Sequence, residues 1–360
     1  METFNEIIVK SLEQRASDIH LCAGAPPTVR VDGDLRPMGD HKCTPEDVRA
    51  LSLEIMNKTQ DEILERDGEV DFAYSMPGTG RFRINIFRQR GTLAIAARVL
   101  NPTIPSPDTL GIPQAVVDMC DKKRGLVLVT GPTGSGKSTT LACLINIINH
   151  KYTHHIITME DPIEYLHRHD KSLVNQREMG SDSANYASAL RAALREDPDV
   201  ILVGEMRDLE TISIAVTAAE TGHLVFSTLH TIGAANTIDR IIDVFPPYQQ
   251  QQIRSQLADV LECVASQQLI VKAGGKGRVA AIEVMLANSA IRSYIRDAKT
   301  FQIASTMQTN RKIGMVTMDE ALLNLVQKGE ITTESAISYA QDAPSLTKRL
   351  AAAGFTARPE

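Results

Sequence analysis

The sequence predicts an α/β protein: a core on a mostly parallel sheet, preceded by a smaller α+β domain and followed by a helical C-terminal region. Three observations predict it. Residues 125–142, GLVLVTGPTGSGKSTTLA, pass from an apolar strand through a glycine-rich turn into a helix. From Gln114 onward apolar strand-like runs alternate with helical segments, as in a parallel sheet covered on both faces. Between this region and the first hundred residues, prolines at 102, 105, 107 and 113 exclude a regular element and mark a stiff linker. The expected divisions are therefore 1–100, a linker at 101–113, a core at 114–288 and a helical region at 289–360.

In the first division, Phe4, Ile7, Ile8 and Leu12 repeat at a helical period across Glu2 to Arg15. An extended segment follows from Ala16 to Leu21, and short strands are expected at Thr28–Val31 and Leu35–Met38. Thr44 and Pro45 form a helix start, a threonine N-cap with proline at the first position and acids after it. Gly80 to Arg88 alternates as a strand, which puts Arg81 and Arg83 on one face, and Phe82, Ile84 and Ile86 on the other. A second strand, Thr92 to Leu100, follows a turn. The arginine pair reads either as a solvated strand face or as guanidiniums offered to a nucleotide.

The core opens on a phosphate loop, Gly131-Pro132-Thr133-Gly134-Ser135-Gly136-Lys137-Ser138, a match to G-x-x-x-x-G-K-[ST]. Glycines let successive backbone N–H groups converge on an anion, and the following helix presents its positive end to it. Thr133 to Thr139 thus form the expected binding segment for ATP. Lys137, a solvated charge without ligand, would reach the β- and γ-phosphates, and Ser138 would join a Mg²⁺ shell. The remaining core strands are expected at Ile156–Glu160, Val200–Gly204 and Leu224–Leu229.

Ligand chemistry in such a sheet gathers at the carboxyl ends of its strands. Glu160-Asp161-Pro162-Ile163-Glu164 stands at one end and has two readings: a helix start with Asp161 as cap, or carboxylates that orient Mg²⁺ or the attacking water. Glu205 follows four apolar residues and Gly204, where a metal-associated acid belongs. His223 and His230 bracket a strand about 23 Å long, too far apart to share a metal. Beyond them Gln249 to Leu269 reads as one helix, Gly274–Gly277 as a hairpin turn, and Ala290 to about Ala352 as helical.

Net charge is −6, aromatics are 4% and there is no Trp, which disfavours a nucleic-acid motor built on a basic channel or a stacking platform. Five scattered cysteines, none in C-x-x-C, read as reduced thiols and give no zinc site. No apolar run approaches the ~20 residues of a membrane span, so a cytoplasmic protein is expected, with membrane association only through a partner.

The phosphate loop, ITMEDPIEY at 157–165, LREDPDVILVGEMRD at 194–208 and TAAETGHLVFSTLHT at 217–231 together resemble the secretion ATPase superfamily, and within it the type IV pilus retraction ATPases. ASDIHL at 16–21 and AIRSYIRDAKTFQIASTMQT at 290–309 resemble that family's end signatures. The resemblance implies a RecA-like P-loop core with a PAS-like N-terminal domain. It implies a homohexamer at the cytoplasmic face of the inner membrane, acting on a platform protein and hydrolysing ATP with Mg²⁺. It assigns Glu164 as catalytic glutamate, Glu205 as the Mg²⁺-associated acid and His223 and His230 as nucleotide sensors. Arg81 and Arg83 match the segment whose arginines reach a nucleotide. An accessory ATPase of the same superfamily remains the near alternative, and a RecA-like nucleic-acid motor the distant one.

Overall fold

The computed structural model describes residues 2–100 and 103–355. Its packing separates Met1–Thr103 with Pro162–Leu166 from Ile104–Asp161 with His167–Glu360.

In the first unit six antiparallel strands form one sheet: β1 (Asp18–Cys22), β2 (Thr28–Val31), β3 (Asp34–Pro37), β4 (Glu69–Met76), β5 (Gly80–Gln89) and β6 (Thr92–Leu100), in the order β3-β2-β1-β6-β5-β4. Helices α1 (Phe4–Glu13), α2 (Pro45–Ile55) and α3 (Lys58–Asp67) share one core with this sheet. Thr3 caps α1 and exchanges hydrogen bonds with Glu6, and Thr44 and Asp47 do the same for α2, with Pro45 in its first turn as expected. Alternation in β5 holds: Phe82, Ile84 and Ile86 are fully buried in that core, while Arg83 is exposed.

The second unit begins within the proline-rich segment. Here the sequence expectation fails, because one helical turn, α4 (Pro107–Leu110), forms among the prolines. Pro107 sits in the first turn, where its fixed φ suits a helix, Ser106 accepts from the Thr109 amide, and Gly111 closes the turn at φ 66°. Asn101 and Pro102 of the expected linker lie outside the described residues. After α5 (Gln114–Val117), seven strands form the sheet: β7 (Gly125–Thr130), β8 (His155–Glu160), β9 (Leu173–Glu178), β10 (Val200–Val203), β11 (Leu224–Leu229), β12 (Leu261–Val271) and β13 (Arg278–Leu286). Their order is β13-β12-β7-β11-β10-β8-β9, and every neighbouring pair is parallel except β12 with β13.

Both faces of this sheet are buried. Leu126 and Leu128 of β7 enter one apolar cluster, and Val127 and Val129 the other. The covering helices are α6 (Lys137–Lys151), α7 (Tyr186–Ala193), α8 (Leu209–Glu220), α9 (Ala234–Asp243) and α10 (Pro247–Val260). The single helix expected over Gln249 to Leu269 is wrong. Helix α10 stops at Val260 and the chain turns directly into β12, because Leu261 to Val271 is claimed on one side by β7 and on the other by β13. Helices α11 (Ser289–Arg296), α12 (Ile303–Thr309), α13 (Met318–Gln327), α14 (Thr333–Ser338) and α15 (Ala343–Ala352) complete the unit. The last three share a core with Ile270 and Ala281 of the β12–β13 hairpin. No helix among the described residues is long and apolar enough to cross a membrane.

Candidate nucleotide site

Strand β7 delivers its carboxyl end to the phosphate loop, and α6 starts at Lys137 with a glycine, Gly136, at its N-cap position. Gly134 and Gly136 hold left-handed φ values of 78° and 89°, which glycine takes without a Cβ penalty. A Cβ on Gly131 would lie 2.2 Å from the Gln267 carbonyl oxygen and 2.7 Å from Ser135 Oγ, so only glycine fits there. Lys137 is not the solvated charge expected. It is 8% exposed, and its Nζ donates to the Gly131 and Pro132 carbonyls at 2.9 and 3.0 Å, back to the start of the loop.

Gln267, on β12, fastens this loop. Its Nε2 donates to the Ser135 carbonyl at 2.6 Å and its Oε1 accepts from Thr140 Oγ1 at 3.0 Å, with 2% of the residue exposed. Sequence reasoning missed it because the segment read as a helix. The available signal was a glutamine pair inside an otherwise apolar, β-rich run.

Strand β11 lies beside β7 and β10 beside β11, so His230 emerges next to the loop and Gly204 and Glu205 one strand further along the same edge. His230 bridges them: Nε2 is 3.3 Å from Glu205 Oε1, and Nδ1 is 3.4 Å from Thr133 Oγ1. With Nε2–H donating to the carboxylate, Nδ1 is left to accept the threonine hydroxyl proton. Glu205 also pairs with Arg207 Nε at 2.5 Å, and this raises the guanidinium's pKa further. A cavity of about 390 Å³ is lined by Glu205, Arg207, His230, Thr231 and Arg240. The glycine before Glu205 has a steric cause. A Cβ at position 204 would meet Tyr186 Oη at 2.8 Å and the Met159 carbonyl at 3.0 Å. Burial, with the Asp161, Glu205 and Glu160 carboxylates around it, pushes the Tyr186 phenol above its ordinary pKa.

The structure therefore brings Thr133 to Thr139, Glu205 and His230 together. It does not bring His223 to them. His223 precedes β11 at the amino end of the sheet, where its Nδ1 lies 2.9 Å from the Ala218 carbonyl oxygen. There it lines the larger cavity, about 520 Å³, with Tyr152, His154 and Lys122. The helix start read at Asp161-Pro162-Ile163-Glu164 is absent: residues 161–170 contain no helix. Glu164 therefore does not stand at a helix start, and its segment groups with the first unit. Arg81 and Arg83 also belong to that unit; Arg81 Nη1 donates to Ser75 Oγ at 3.1 Å, and Arg83 pairs with Asp71 at 3.6 Å.

The residues of the loop fit a nucleotide with Mg²⁺. The Ser135 hydroxyl is buried without a partner among the described residues, and Ser138 and Glu205 supply oxygen donors of the kind Mg²⁺ takes. Among the described residues no group of three His, Cys, Asp or Glu would hold a metal by itself.

Comparison with known proteins places this arrangement. Residues 1–342 match the model of the type II/IV secretion system protein family. The chain is 50% identical to the type IV pilus retraction ATPase PilT of Pseudomonas aeruginosa, over 92% of its own length and 96% of that protein. It is 48% identical to a twitching motility protein of Neisseria gonorrhoeae, over 89% and 86% of the two chains. A crystal structure of the pilus retraction motor PilT with bound ADP superposes with a TM-score of 0.91 at 51% identity, covering 97% of this chain and all of that one. A phosphate loop in that setting makes this an ATP-hydrolysing, PilT-like protein, and the chain belongs to the type II/IV secretion system protein family.

Proposed function

We propose that this chain is the motor subunit that retracts a type IV pilus, hydrolysing ATP at the loop of residues 131–139. The observation that carries the reading is the chain of contacts from the loop through Thr133 and His230 to Glu205, which links the phosphate cradle to a carboxylate at the end of the next-but-one strand. Loss of the γ-phosphate is then felt at both Thr133 and His230.

In this mechanism Lys137 exchanges its loop carbonyls for the β- and γ-phosphates. Ser138 and Glu205 are the residues that would hold Mg²⁺, which when bound neutralises developing charge on the phosphates. Glu164 takes the proton of the attacking water, and Arg81 and Arg83 bind phosphate oxygens by charge-assisted hydrogen bonds. His223 reports on the nucleotide from a neighbouring subunit's side. The assembly proposed is a homohexamer at the cytoplasmic face of the inner membrane, turning a platform protein. Similarity to pilus retraction proteins over nearly the whole chain supports this assembly.

The test is complementation of a twitching strain that lacks its retraction ATPase. The wild-type gene is expected to restore spreading, and Lys137→Ala to fold, assemble and restore none. Near-normal hydrolysis by folded K137A would refute the site, and motility without hydrolysis would refute the motor reading.

A further inference from the structure

Glu283 is a buried carboxylate that the nucleotide chemistry does not use. It lies in the middle of β13 and is 4% exposed. Its Oε1 accepts from the Ala234 amide at 2.7 Å, and its Oε2 from the Met318 amide at 3.0 Å and from Gln341 Nε2 at 3.4 Å. Ala234 and Met318 are the first residues of α9 and α13, so two ten-residue helices aim their positive ends at one side chain. At roughly half a unit charge each, those ends offset one carboxylate. This explains a glutamate where burial would otherwise favour an apolar residue. Desolvation raises the carboxyl's pKa, and the three donors act against that.

The position of Glu283 joins parts that are otherwise far apart in sequence. Across the sheet, Thr130 pairs with Ser266 and Ser266 with Glu283, a row from the end of β7 to the outer strand. Ser266 Oγ accepts from the Gly233 amide at 2.9 Å, and the next amide, Ala234, goes to Glu283. Gly233 and Ala234 lie three and four residues past His230, which bonds to Thr133 of the phosphate loop and to Glu205. On the far side, Val284 and Val316 exchange backbone hydrogen bonds at 2.8 and 3.0 Å, which fixes the entry to α13. Gln341 brings in the turn before α15.

We propose that Glu283 couples the His230 loop to the C-terminal helices, as the shared anion of two helix N-termini. A shift of residues 230–233 on nucleotide binding moves the α9 amide at one carboxylate oxygen. The other oxygen carries the change to α13. Glu283 is in this sense a positioning residue, and the inference rests on nucleotide binding at the phosphate loop and not on what the motor moves.

Hydrogen exchange of the full chain with and without ADP tests it. In the wild type ADP should slow exchange in peptides covering 131–140, 230–240 and 316–328 together. Glu283→Gln keeps shape and one acceptor but sets an NH₂ against the second amide. Exchange at 316–328 should then rise about tenfold or more, the scale of losing a hydrogen bond to a charged group. The ADP response should persist at 131–140 and 230–240 and vanish at 316–328. A residue that only stabilised the fold would raise exchange and leave that last response intact, and this result overturns the proposal. It is equally overturned if wild-type peptides 316–328 ignore ADP while 131–140 respond. If E283Q does not fold, Ala234→Pro removes the other amide at a helix position proline accepts. The same uncoupling is expected, and a surviving response at 316–328 overturns the proposal.

Discussion

Gln267→Ala is the substitution that most directly tests how the phosphate loop is held. The side chain is 2% exposed and makes two bonds, to the Ser135 carbonyl and from Thr140 Oγ1. Truncation leaves a buried carbonyl and a buried hydroxyl without partners, at a cost of about 1–3 kcal/mol. Because the lost bonds fix the loop in its binding geometry, part of that cost becomes a smaller competent fraction, and the apparent Kd rises by its inverse. At about 1.4 kcal/mol per tenfold, the dissociation constant for ADP should increase roughly 5- to 100-fold. Gln267→Glu separates anchoring from packing: it still accepts from Thr140 but opposes an oxygen to the Ser135 carbonyl, so it should bind ADP as poorly as the alanine variant. Thr140→Val removes one bond only and should be less than additive with Gln267→Ala, because the two share a partner. Isothermal titration with ADP, alongside thermal unfolding, reads all three. Folded Q267A and Q267E proteins that bind ADP within about twofold of wild type would refute the anchoring argument.

Three further outcomes are expected. Glu164→Gln should keep ATP binding and lower turnover at least ~100-fold, the scale of losing a general base, and steady-state phosphate release at wild-type rate would remove the residue from the chemistry. The Arg81→Ala/Arg83→Ala protein should assemble and bind ADP but lose hydrolysis by up to ~10³-fold, as loss of phosphate-binding arginines does. Partial recovery on mixing it with Lys137→Ala would place the contact between subunits, and parental activity would make the pair a solvated strand face. Burial, with His150 nearby, lowers the His167 pKa from 6.5 to about 4, so the native ring stays neutral where the unfolded chain takes a proton. Its contribution is complete above pH ~6.5 and shrinks as pH falls toward 4, by about 2 kcal/mol between pH 7.5 and 5. Urea unfolding at the two pH values should show that slope in the wild type and a shallower one in His167→Asn.

Much of the fold was legible because its signals are local. Thr44 and Pro45 start a helix through bonds within one turn, and the alternation at Phe82, Ile84 and Ile86 needs only one buried face. The buried strands β7, β10 and β11 read as apolar runs because helices cover both faces of their sheet. What failed was decided by partners far away in sequence. The segment LECVASQQLIV contains nothing that forbids a helix, and becomes a strand because β7 and β13 offer it hydrogen bonds on both sides. Edge strand β9, with Leu173 exposed and only Val174 as an apolar residue inside the core, gives no apolar run to find.

The site divides along the same line. Residues 131–139 announce phosphate binding because strand, glycine turn and helix start are contiguous, and the chemistry follows from that sequence alone. Glu205 was recognisable from the strand before it, but the preceding glycine was not explained until Tyr186 Oη and the Met159 carbonyl were seen to fill the space of a Cβ. The two histidines show the limit most clearly. They share one strand and one motif, yet the parallel sheet gathers chemistry at one end of its strands only. His230 leaves β11 beside Thr133 and Glu205, whereas His223 enters it at the opposite end, bonded to Ala218. The proposed joint role as nucleotide sensors therefore cannot rest on one phosphate loop in one chain. It needs a second surface to meet His223, and in the proposed homohexamer that surface is another copy of the same protein.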